Sequence, residues 1–101
     1  MKAYELIEQL DWCQGDYALN ESGADVAPEN PNAVCFCSVG ALQRVYGKDR
    51  AYIDAVRRLE AEILKHEWHP FLSCEQVIVK WNDAKGRSKK DIVTLMRNAN
   101  V

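Results

Sequence analysis

A chain of 101 residues, 48% hydrophobic and 28% charged with a formal charge of −2, is long enough for one core and too short for two, so a single globular domain over 1–101 is expected. No stretch approaches the roughly 18–20 apolar residues of a membrane span, and Glu5 and Glu8 interrupt the opening segment where a secretory leader needs an apolar run. Those features predict a cytoplasmic protein with no membrane partner.

Ala3, Leu6, Ile7 and Leu10 recur at the spacing of an amphipathic helix, which predicts a first helix over about 2–12. From Cys13 to Val34 the periodicity gives way to Gly15, Gly23, Pro28, Pro31 and several Asn, Asp and Ser residues, the composition of turns. A loop of that length is uncommon in a small domain and points to a functional segment. A second helix over about 37–46 follows from Val39, Leu42 and Val45 or Tyr46, with Gly47 placed to end it in the left-handed conformation.

Asp49 is a candidate N-cap for a longer third helix that reaches His66, with Ile53, Val56, Leu59 and Ile63 facing inward beside Tyr52. Pro70 breaks the chain after it. Ser73 and Gln76 form a capping-box pattern ahead of Val77-Ile78-Val79, a run that suits a strand equally well. Helix is preferred there because a lone strand would have no partner. Ser88 and Asp91 repeat the capping-box pattern before Ile92, Leu95, Met96 and Ala99. The expected architecture is all-α, a bundle of five short helices with one long N-terminal loop, in which Trp12, Trp68 and Trp81 anchor the core.

Three blocks carry a resemblance: Trp12-Cys13-Gln14-Gly15, then Cys37-Ser38-Val39-Gly40-Ala41-Leu42, then Trp81-Asn82-Asp83 before a helix. In order and spacing they resemble a family of small bacterial and bacteriophage proteins of unknown function. The resemblance covers most of the chain and implies a prokaryotic or phage setting, but no activity. It does not extend to His66 or His69.

Charge is divided along the chain, with a net of −6 over Met1–Cys37 and +4 over Ser38–Val101. The acids of the loop, Asp16, Glu21, Asp25 and Glu29, are the candidate binding residues. Counted from Asp16, the sixth position is Glu21 where a calcium loop needs Gly. Helices two and three are joined by about three residues, as in a helix-turn-helix, but Asp54, Glu60 and Glu62 on the second would repel phosphate, which argues against direct nucleic-acid binding.

Four cysteines raise the question of metal, yet Cys35 and Cys37 are one residue apart rather than two to four, and Cys13 and Cys74 stand alone. No metal site and no cofactor are expected. Cys37, ahead of a helix whose N-terminus would lower its pKa, is the candidate thiol nucleophile, with His66 or His69 as base and Asn82 and the backbone near Gly40 as accessory groups. The structural alternative is that Cys37, Gly40 and Ala41 are small because two elements approach closely. By elimination the expected function is a non-enzymatic protein-interaction module, in its specific form a phage-encoded inhibitor of a host or defence nucleoprotein acting through the acidic loop. The alternative is a small cysteine-dependent enzyme using Cys37 with His66 or His69.

Overall fold

The computed structural model describes residues 1–101, in the order α1 (Ala3–Gln9), β1 (Ala18–Asn20), β2 (Ala33–Phe36), α2 (Ser38–Tyr46), α3 (Arg50–Leu64), α4 (Cys74–Asn82) and α5 (Lys89–Asn98). The five helices stand where the periodicity places them. The all-α expectation is nevertheless corrected, because the long loop contains a two-stranded antiparallel sheet and the fold is mixed. Ala18 pairs with Phe36, Leu19 with Cys35 and Asn20 with Ala33, so Val34 is an extra residue pushed outward, 37% exposed. Both edges of this small sheet are covered. Asp25 bridges to Leu19 outside β1, and Trp12 bridges to Phe36 outside β2.

That second bridge explains why α1 ends earlier than its apolar stripe. Phe36 N–H donates to Asp11 C=O (3.0 Å) and Cys13 N–H donates to Phe36 C=O (3.1 Å), so the backbone beyond Leu10 is drawn into extended pairing and Leu10 is left on the surface. The sheet competes for the same peptide groups and wins.

The helices share one core of 23 buried residues in which Ile7, Phe36, Val39, Leu42, Leu59, Ile63, Ile78, Ile92 and Met96 are fully enclosed. Helix α2 is its centre, with Ser38, Val39, Gly40, Ala41 and Leu42 buried in succession and α1, α3, α4 and β2 packed around it. Helix α3 buries Tyr52, Ala55, Val56, Leu59 and Ile63, while Ile53 is on the outside, one position off the expected stripe. Ser73 with Gln76 and Ser88 with Asp91 form the expected capping boxes, whereas Asp49 occupies the N-cap position of α3 without a side-chain bond. Trp12 and Trp81 pack against the core, but Trp68 does not anchor it. Trp68 and Phe71 lie in the α3–α4 connection at 76% and 95% exposure.

Candidate functional site

The three sequence blocks meet at the N-terminus of α2, and Asn82 is the group that joins them. Its side chain, 1% exposed, projects from the last turn of α4. Asn82 Oδ1 accepts from Ser38 N–H (2.9 Å), Ser38 Oγ (2.7 Å) and Trp12 Nε1 (2.8 Å). Nδ2 donates to Cys13 C=O (3.1 Å) and to Asp83 Oδ1 (2.9 Å). Gln14 Nε2 then donates to the carbonyls of Asn82 (2.9 Å) and Ala84 (3.1 Å), and Gly15 N–H donates to Asp83 Oδ1 (3.1 Å). Every polar atom of the buried amide is used, which is the condition under which a polar group can sit in a core.

Beside this knot the chain passes as close to α2 as chemistry permits. Tyr17 C=O accepts Cys37 N–H at 3.1 Å and lies over Gly40, where an added Cβ would stand 1.9 Å from the Tyr17 oxygen. Gly40 is therefore required by the approach of the loop backbone.

Cys37 itself caps α2, its Sγ accepting Gly40 N–H at 3.3 Å. The helix N-terminus does favour the thiolate, through the Gly40 and Val39 amides, but removal from water outweighs it and the Cys37 pKa is raised to about 11. The hollow against Cys37, shared with Gly15, Asp16, Tyr17, Val79, Asn82 and Asp83, is about 30 Å³, far smaller than a ligand pocket. Neither imidazole joins it. His66 lies against the Trp81 ring, with centroids 5.8 Å apart, and His69 pairs with Glu67. The structure brings together Cys37, Gly40 and Asn82 and leaves both imidazoles out of that hollow. Cys13 lies near both Cys35 and Cys37. Burial and then the neighbouring Cys35 and Cys37 sulfurs push the Cys13 thiol up. No group of three or more His, Cys, Asp and Glu side chains is arranged to hold a metal ion.

The acidic loop residues do converge. Asp16 and Tyr17, from the bend before β1, face Asp25, Val26, Ala27, Pro28 and Glu29 across an open groove of about 570 Å³ floored by Gln43 and Lys48 at the end of α2. Glu21 is not part of it and sits on the turn after β1. The groove walls are held by bonds that periodicity does not reveal. Asn20 Oδ1 accepts from Ser22 N–H (3.0 Å), Ser22 Oγ (2.8 Å) and Ala24 N–H (3.0 Å), closing the turn. Arg44 Nη1 donates to the carbonyls of Pro28 (2.7 Å) and Asn30 (3.0 Å), clamping the far wall to α2. Glu29 lies 3.2 Å from Lys48 Nζ, and its own backbone amide and then Lys48 hold its carboxyl below the ordinary carboxylate range.

Sequence reading missed Tyr17, Gln43 and Lys48 as groove residues. Lys48 follows the helix-ending Gly47 directly, and only the fold shows that it reaches Glu29 in the loop.

The fold and site define a small mixed domain in which a helical core carries a covered two-stranded sheet and a tied-down acidic loop. The chain belongs to a family described as Family of unknown function (DUF6197), which matches residues 1–100. No curated protein and no solved structure matches it. No helix is long and apolar enough to cross a membrane.

Proposed function

We propose that this protein is a non-enzymatic interaction module that binds the basic surface of another protein through the acidic groove. The observation that carries this reading is the convergence of Asp16, Asp25 and Glu29, from two separate stretches of loop, on one groove whose lining holds a single cation, Lys48. All three residues are exposed; Asp16 and Asp25 have no ion-pair partner within the chain, whereas Glu29 is paired with Lys48. An ordered arrangement of like charge speeds encounter with a basic surface and selects against acidic ones. In its specific form the partner is a host or defence nucleoprotein, and the groove occupies the basic surface that otherwise takes nucleic acid. The resemblance to small bacterial and bacteriophage proteins is in keeping with a prokaryotic or phage setting.

The test is affinity capture from native cells with the wild-type chain, with Asp16→Lys/Asp25→Lys/Glu29→Lys, and with Glu21→Lys alone. The expected result is a partner held by wild-type protein and by Glu21→Lys, released by raised salt, and lost by the triple variant. Equal recovery by all three proteins would refute the groove as the binding surface.

A further inference from the structure

Besides the small hollow against Cys37, Tyr17 lines two larger ones. On one side is the acidic groove. On the other is a cleft of about 420 Å³ formed with Leu72, Glu75, Gln76, Val79 and Lys80. The tyrosine side chain is 46% exposed, yet its backbone is fixed by the Cys37 N–H bond and by contact with Gly40. An exposed aromatic on an immobile mount loses little conformational entropy when a partner covers it, the property that makes tyrosine frequent at binding hot spots. Phe71, next in sequence to Leu72 of that cleft, is 95% exposed. Apolar surface left uncovered next to a charged groove marks a place where something else covers it.

The charges decide what that occupant is. The cleft is neutral, with Glu75 and Lys80 balancing, whereas the groove beyond Tyr17 carries three carboxylates against Lys48. We infer that the partner presents an extended segment with Lys or Arg residues at one end, which enter the groove, and an aliphatic or aromatic residue at the other, which enters the Tyr17–Leu72–Val79 cleft beside Phe71. Six residues of extended chain reach about 20 Å, enough to cross one aromatic side chain and engage both sides. The inference rests on the interaction reading above and adds the chemistry of the segment bound.

Two pools of synthetic hexapeptides test it. Both have Lys or Arg at the first three positions and Gly at the fourth; the last two are Leu, Ile, Phe or Trp in one pool and Ser or Thr in the other. Amide chemical shifts of the full isotope-labelled chain are followed during titration at low salt. The apolar pool is expected to move the amides of Asp25, Glu29, Leu72 and Val79 together and to bind at least tenfold more tightly than the polar pool, which moves only the groove amides. Phe71→Ser and Tyr17→Ala, each with an otherwise unchanged spectrum, are expected to remove most of that tenfold difference. Equal affinity for the two pools, or no shift at Leu72 and Val79, overturns the two-part surface while leaving a charge-driven groove intact. Binding of neither pool also overturns it, and the capture experiment with the charge-reversed variant then reports on the groove separately. If the same amides shift on raising the concentration of the protein alone, the cleft is covered by a second copy and the inference is wrong.

Discussion

Asn82 holds the first turn of the helix that Ser38 begins. Its Oδ1 takes both the backbone N–H and the hydroxyl of Ser38, at 2.9 and 2.7 Å, from 44 residues further along the chain. A helix N-terminus buried in a core has orphan amides that water cannot reach, and here a side chain from another helix supplies the acceptor. The same oxygen receives Trp12 Nε1, so one amide ties the start of the loop, the central helix and α4 into a single unit.

Removing that amide leaves the buried Ser38 N–H and hydroxyl, and the part-buried Trp12 Nε1 and Cys13 carbonyl, without these partners. Asn82→Ala is expected to lower unfolding free energy by about 3–5 kcal/mol, a large part of the total for a domain this size. Urea denaturation followed by circular dichroism measures it. A loss under about 1 kcal/mol would show that the knot does not hold the fold together.

Gly40→Ala places a methyl group on the Tyr17 carbonyl, and because the obstacle is backbone the loop must move. The expected cost is about 3 kcal/mol or more, with displaced amide resonances for residues 15–18. Gly15→Ala is the matched control. Gly15 has φ +88° with open space around it, so only the left-handed strain of about 1–2 kcal/mol is expected. Equal losses at the two positions would contradict the close approach.

Cys37 predicts an alkaline limb of stability. Its folded pKa of about 11 lies above the ordinary 9.0, so the native state binds the proton more tightly and the contribution is complete below pH 9. It disappears as pH rises through 11, a loss on the order of 2–3 kcal/mol. Cys13 is shifted in the same direction. Denaturation midpoints from pH 8 to 11 should fall more steeply for wild type than for Cys37→Ala, and parallel curves would refute the assignment. At pH 8 the same shift reduces the thiolate fraction of Cys37 about 100-fold, so alkylation in the native protein should be slow by at least that factor.

Arg44 governs the loop. A long loop of turn-forming residues is an expected early site of proteolysis, but the structure ties 28–30 to α2 through one guanidinium. Arg44→Ala is expected to raise the rate of cleavage between Ala27 and Asn32 several-fold while shifting global stability by about 1 kcal/mol or less. Unchanged cleavage would show that the sheet and the Asn20 turn are sufficient to hold the segment.

The helices were legible because their signals lie within four residues. The capping boxes Ser73–Gln76 and Ser88–Asp91, the Gly47 stop and the apolar stripe of α5 are satisfied by neighbours in sequence, so the code for them is local. The concentration of acids in the loop was likewise a property of composition. The sheet was not legible, since strands of three and four residues are too short to show an alternation and Ala18 finds Phe36 only across the whole loop. The same holds for Asn82, since apart from the adjacent Asp83 its side-chain partners lie 44 to 70 positions away. Tertiary structure alone decided that Asp16 faces Asp25 and Glu29 while Glu21 turns aside, and that burial at Cys37 outweighs the helix N-terminus. Spacing in sequence sets which residues share a face of one helix. Distance and dielectric between elements exist only once the chain has closed its long-range hydrogen bonds around a common core.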